Sequence, residues 1–220
     1  MNILGIDTAT DNCSVGLVCD GTVINRKSRP GRSMASEHLV SLIDETIVDF
    51  IPFGEIEAVA VSIGPGSYTG LRIGLSTVKG LALPGQLPVL PVPTMAVLES
   101  VARQKLDLDF MLYIKSHRDL IYHVLSVNGK PLDIKQHPLD YAPLSEVLDK
   151  YENISTFVGP SAIEFPSDKK VYRIYPEGAH VALLAHRYYR ELLSLTGAEL
   201  EPKYYSNYEA QKWTPPKTSG

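Results

Sequence analysis

Cysteine is almost missing from this sequence: Cys13 and Cys19 are the only two among 220 residues. Both fall in one expected strand, where six residues at about 3.3 Å each hold their Cα atoms far beyond disulfide reach. We therefore expect reduced, packed thiols in a cytoplasmic protein. No uncharged apolar run approaches about 18 residues and no basic region opens the chain, so neither a membrane span nor a secretory signal is expected. Positive charge is not in excess either. A net charge of −4 provides no global field to draw the chain onto nucleic acid or an anionic membrane. The six histidines, His38, His117, His123, His137, His180 and His186, form no i, i+4 pair and no His-Glu-x-x-His, and none lies near a cysteine. A zinc site is not indicated.

What the sequence does contain centres on Val59 to Leu83. Val59, Val61 and Ile63 form a short apolar run with β propensity that stops at Gly64-Pro65-Gly66, and after Gly70 the apolar period becomes helical. A glycine loop feeding a helix N-terminus offers unpaired N–H groups to an anion. The details narrow that reading. No Lys stands at the P-loop offset, Gly64, Gly66 and Gly70 are one residue too widely spaced for a dinucleotide fingerprint, and Ser67 lacks the flanking glycines of a nucleophile elbow. The alternative is structural: the glycines permit a tight turn and a close helix approach at Gly74 and Gly80.

Upstream, Ile3 to Ile6, Val15 to Val18 and Thr22 to Ile24 read as three antiparallel strands, with a hairpin at Asp20-Gly21. The Asp7-Thr8-Ala9-Thr10 stretch ending the first strand suits either a phosphate or metal-bound water, or local turn bonds. Arg26, Lys27, Arg29 and Arg32 are a basic cluster fit for phosphates or a solvated hairpin end. Ser33 is the expected cap of a helix whose stripe is Leu39, Leu42, Ile43 and Ile47. A strand at Pro88 to Val92 and a helix at Thr94 to Ala102 follow.

From Phe110 the pattern restarts less completely. Strands are expected at Phe110 to Ile114, Leu120 to Val127, Phe157-Val158 and Val171 to Ile174, a short helix at Pro143 to Leu148, and one long closing helix at Ala179 to Leu195. This gives an α/β chain of two related lobes with mixed sheets, residues 1–105 and 106–197, the closing helix of the second being a candidate to pack on the first, and a tail over 198–220. The tail's aromatics, Tyr204, Tyr205 and Trp213, suit docking on the protein or on a partner.

Ile-Asp-Thr-Ala-Thr at Ile6 to Thr10, Cys-Ser-Val-Gly-Leu at Cys13 to Leu17 and Gly-Pro-Gly-Ser-Tyr-Thr-Gly-Leu-Arg-Ile-Gly at Gly64 to Gly74 resemble the bacterial TsaB (YeaZ) family in order and spacing. Lys115 to Asp119 departs from that family's Asp-Ala-Arg, and Pro202-Lys203-Tyr204-Tyr205 matches its closing motif only partly. The resemblance implies an actin-like, sugar-kinase-like fold (ASKHA). It also implies a non-catalytic scaffold in the threonylcarbamoyladenosine machinery of tRNA. The partners would be the catalytic paralogue TsaD and the ATPase TsaE, with tRNA reached only through the complex, no membrane contact, and a homodimer when alone. Matching the paralogue's glycine motif puts Thr94 and Leu98 where its two metal-binding histidines stand, and neither ligates as imidazole does.

The expected partner interface is therefore Leu39, Leu42, Ile43 and Ile47 with Leu71, Arg72, Leu75 and Val78, on two helices whose apolar content exceeds one sheet face. No metal and no cofactor are expected. Weak nucleotide contact, if present, falls to Asp7, Thr8, Gly64, Gly66, Ser67 and Gly70. An independent actin-like ATPase or kinase using those same groups is the rival reading, and a peptidase is the third.

Overall fold

The computed structural model describes residues 1–31, 33–136, 139–197 and 199–203. The expectations for Arg32, His137 and the tail aromatics lie outside the described residues.

Two five-stranded sheets carry the fold. In the first, β1 (Asn2–Asp7), β2 (Asn12–Cys19) and β3 (Thr22–Pro30) form an antiparallel meander, and β4 (Ala58–Ser62) and β5 (Val89–Val92) join in parallel, giving the order β3-β2-β1-β4-β5. The second, with β6 (Phe110–Lys115), β7 (Leu120–Ser126), β8 (Asp140–Pro143), β9 (Thr156–Gly159) and β10 (Lys170–Arg173), has the order β10-β9-β6-β7-β8. Counted within each lobe, both read third, second, first, fourth, fifth with the same parallel and antiparallel pairings. The repeat that the hydrophobic pattern suggested is thus a repeat of topology.

Both faces of the first sheet are covered, which is why its central strands are apolar throughout. On one face Leu4, Ile6, Val15, Leu17, Val59 and Val61 meet α1 (Met34–Ile47) and α2 (Tyr68–Ala82). On the other, Ile3, Val18, Ala58 and Ala60 meet α5 (Gly178–Arg187), which comes from the far end of the chain. Its approach is close. A Cβ at Gly5 would lie 2.2 Å from the Gly178 carbonyl oxygen, and one at Gly16 2.4 Å from the Ala179 Cα. Conversely α3 (Thr94–Ala102), which follows the first sheet, packs Met95, Leu98 and Val101 on Phe110, Leu112 and Ile114 of the second. Each sheet therefore takes a helix from the other half, and a division at residue 105 follows the sheets but not the helices.

Several local expectations are corrected. The closing helix breaks at Tyr188 (φ −111°, ψ 31°), and α6 (Tyr189–Leu193) turns to bury Leu192 beside β5. Ser33 adopts φ 63° and caps with its carbonyl, which accepts the Ser36 and Glu37 N–H groups, rather than with its hydroxyl. The short edge strand β8 was not expected. Between β9 and β10 no helix forms, and Phe165 packs instead on Tyr113 and Phe157, with ring centroids 5.2 and 4.9 Å away. The other face of β6 is closed this way, together with Val147 of α4 (Leu144–Lys150). Cys13 and Cys19 are both free thiols, and burial pushes the Cys13 thiol up to about 12, as suits packing rather than reactivity.

Candidate functional site

The glycine loop joins the C-terminal end of β4 to α2, directly beside the turn that leaves β1. Ser67 caps α2, its Oγ accepting the Gly70 N–H at 3.2 Å, a role that Ser-x-x-Gly did not announce in the sequence. The Ser67 N–H donates to the Ala9 carbonyl at 2.7 Å, the Gly64 N–H to Thr94 Oγ1 at 3.0 Å, and Thr8 Oγ1 donates to the Gly70 carbonyl at 2.8 Å. The glycines face this same turn. A Cβ would stand 2.3 Å from the Ala9 oxygen at Gly66, 2.1 Å from the Thr8 oxygen at Gly70 and 2.2 Å from Thr8 Oγ1 at Gly74. They let the chain's own Thr8-Ala9 backbone into the hollow where a phosphate would sit, and the donors a phosphate would need at Gly64, Ser67 and Gly70 are already taken. Lys203 closes over the same strand end, its N–H donating to the Ile63 carbonyl at 2.8 Å.

Asp7 is corrected as well. It is 0% exposed, with Oδ2 accepting from Ser62 and Oδ1 from the Ala9 N–H at 3.2 Å, so it presents nothing to a ligand. Asp7, Thr8, Gly64, Gly66, Ser67 and Gly70 are brought together as expected, but against one another. What stays open beside Thr8 and Thr10 is a cleft of about 290 Å³ between the first turns of α1 and α2, at the bottom of the range for small-molecule sites.

Burial pushes the Asp7 carboxyl up to about 7 from 3.8, only partly offset by its bonds to Ser62 and Ala9. The folded state then holds a proton that the unfolded chain releases between these values, so this group costs stability increasingly as pH rises from about 4 to 7. Asp7→Asn keeps both bonds once the Ser62 hydroxyl turns. It should raise stability at pH 8 by about 2–4 kcal/mol and leave it nearly unchanged at pH 4, read by urea unfolding at the two pH values.

The two positions implied for metal ligands are closed too. Thr94 and Leu98 are both fully buried, and Thr94 is bonded to Gly64 through its hydroxyl and, by its N–H, to the Gly64 carbonyl at 2.9 Å. Among the described residues, no three His, Cys, Asp or Glu side chains gather where they would hold a metal ion.

The expected interface stripe lies inside the protomer. Leu39, Leu42, Ile43, Ile47, Leu71, Leu75 and Val78 are all buried, all but Leu71 beneath the first sheet with α1 and α2. The six beneath the sheet are covered by it, and Leu71 is 1% exposed, so none of the seven presents a contact face. Gly74, read as room for a second helix, is filled by Thr8. Arg72 alone of the eight is exposed, and it lies against the Tyr68 ring with its guanidinium carbon 5.1 Å from the centroid. Leu83, which the spacing sets off the stripe with Ile73, points outward, whereas the exposed Val40 and Val48 were missed. Val40 (69% exposed) lies on α1, Val48 (62%) caps its C-terminal end, and Leu83 (78%) caps α2, where a Cβ on nearby Gly80 would meet nothing within 4 Å.

Two residues of the basic cluster make surface ion pairs: Arg26 with Glu177 at 3.2 Å and Arg29 with Glu45 at 3.0 Å.

Residues 33–192 match the family model described as TsaD: tRNA N6-adenosine threonylcarbamoyltransferase. Over 105 residues the chain is 39% identical to the tRNA threonylcarbamoyladenosine biosynthesis protein TsaB of Escherichia coli (strain K12), covering 48% of this chain and 46% of that protein. It is 31% identical over 105 residues to the protein of the same name from Haemophilus influenzae, covering 46% and 43%. The matched stretch thus spans a little under half the length of each relative. In fold, YeaZ from Pseudomonas aeruginosa superposes with a TM-score of 0.76 at 20% identity, over 92% of this chain and 99% of that one. The duplicated mixed sheets are those of the actin-like fold. With the family model matched over most of its length, the chain belongs to the TsaD family, as a member of the TsaB (YeaZ) group.

Proposed function

We propose that the chain is a non-catalytic subunit of the machinery that forms N6-threonylcarbamoyladenosine in tRNA. In this reading it pairs with the transferase TsaD, works with the ATPase TsaE in the cytoplasm, and needs no cofactor of its own. The observation that carries the proposal is the self-filled glycine loop: the turn after β1 occupies the phosphate hollow, and Thr94 and Leu98 are buried where ligating side chains would stand. An independent ATPase is disfavoured by the same geometry. Direct tRNA binding is disfavoured by a net charge of −4 and by the ion pairs that occupy Arg26 and Arg29.

The outward faces of α1 and α2 are assigned to the partner. Val40, Val48 and Leu83 are large apolar groups left exposed among the described residues, and Gly80 allows another helix to come near. A homodimer through the same face would compete with the TsaD pair. Mixing the chain with TsaD and measuring mass by light scattering after gel filtration should give a one-to-one complex at the expense of any homodimer. Two unassociated peaks at micromolar concentration would refute the pairing.

A further inference from the structure

On the seam between the lobes, away from the glycine loop, a cleft of about 680 Å³ opens between α3, α5 and the turn after β7. That volume lies well within the range of small-molecule sites. Its charge runs against that of the chain. Arg103, Lys130 and Arg187 line it together with His180 and His186, and the single carboxylate is Glu99. Glu99 is buried and spent: one oxygen accepts from Ser126 Oγ and the other from the Leu132 N–H at 2.8 Å. Arg103 is fixed by bonds to the Ser126 hydroxyl at 2.6 Å and the Leu108 carbonyl at 2.7 Å, with its guanidinium carbon 4.4 Å from the Phe110 centroid. His180 is held by Ser100 Oγ at 2.9 Å from Nδ1. The side chains of Lys130 and Arg187, by contrast, are exposed and make no ion pair or hydrogen bond among the described residues. The remaining wall, Pro131, Ile134, Leu183 and Leu184, is apolar.

We propose that this cleft binds a small organic anion, a phosphate or carboxylate carried on an apolar or aromatic body. The anionic group lies toward Lys130 and Arg187, and the body lies on the Ile134 and Leu184 wall. Three cations set against the one carboxylate of Glu99 leave a net positive charge focused in a concave, half-apolar site. The fixed Arg103 and His180 add donors that need little ordering on binding. The inference stands whether or not the chain pairs with TsaD.

Phenyl phosphate, benzoate, inorganic phosphate and phenol, titrated into the full chain and followed by calorimetry and by the histidine ring signals in NMR, test it. Phenyl phosphate or benzoate should bind at least about 10-fold more tightly than phenol, because the charge-assisted contacts are lost in phenol. Whichever of the two binds better identifies the anion. Inorganic phosphate should bind more weakly than phenyl phosphate, and the shifts should fall on His180 and His186. Lys130→Glu and Arg187→Glu, both at exposed positions, should each weaken binding about 10-fold or more with the thermal midpoint unchanged. Absence of binding by either aryl anion below about 10 mM, equal affinity for phenol, or full affinity in both charge-reversed variants would overturn the assignment.

Discussion

Leu75→Glu within α2 and Leu83→Glu at its C-terminal cap are expected to fail in opposite ways. Leu75 is buried beneath the first sheet, so a carboxylate there is an unpaired charge in an apolar core, costing on the order of 4 kcal/mol or more. That approaches the whole stability of an ordinary domain, about 5–15 kcal/mol, and the variant should lose its cooperative thermal transition or be recovered only as aggregate. Leu83 is 78% exposed, and a charge there should change stability by no more than about 0.5 kcal/mol. Its effect should appear in association, as a loss of TsaD affinity of about 30-fold or more, because the charge would be trapped in an apolar contact. Val48→Glu on α1 should behave like Leu83→Glu. Folded Val48→Glu and Leu83→Glu proteins that both capture TsaD with unchanged affinity would remove these helices from the interface.

The second large effect concerns the joint between the lobes. Gly5 and Gly16 carry no side chain where α5 crosses β1 and β2, and the backbone of Gly178 and Ala179 fills that space. Gly16→Val must push α5 off the sheet. Because Val181, Ala182 and Ala185 would lose their cover with it, the cost should be about 3 kcal/mol or more. Gly54→Ala, where a Cβ meets nothing within 4 Å, is the control and should leave the urea midpoint in place. A Gly16→Val protein as stable as the parent would show that α5 is not seated on this sheet.

The sequence made the strands and hairpins legible because their signals are local. Alternation or short apolar runs mark β1, β2, β4 and β6, and Asp20-Gly21 and Asn128-Gly129 mark turns within two residues. What the sequence hid depends on residues far apart in the chain. The stripe Leu39 to Ile47 announces an apolar face but not what covers it, and a distant sheet of the same chain does so. Gly74 signals a close approach, yet the approaching group is Thr8, and Asp7 is silenced by Ser62. Such pairings arise only once β1 and β4 lie side by side. The break at Tyr188 carries no Gly or Pro, and it follows from the need to bury Leu192. Of the two readings the glycine motif offered, the packing one describes Gly66, Gly70 and Gly74, which face the Thr8-Ala9 turn: small residues at fixed spacing serve a phosphate or a backbone equally well.

Reconstitution of threonylcarbamoyl transfer to tRNA from purified components tests the proposed role most directly. TsaD and TsaE, supplied with the threonylcarbamoyl donor and tRNA, should form modified adenosine at a substantial rate only when this chain is added. The chain alone should neither modify tRNA nor hydrolyse ATP at an ordinary enzyme rate of ~1 per second. Full activity of TsaD and TsaE without the chain, or ATP turnover at that rate by the chain alone, would contradict it.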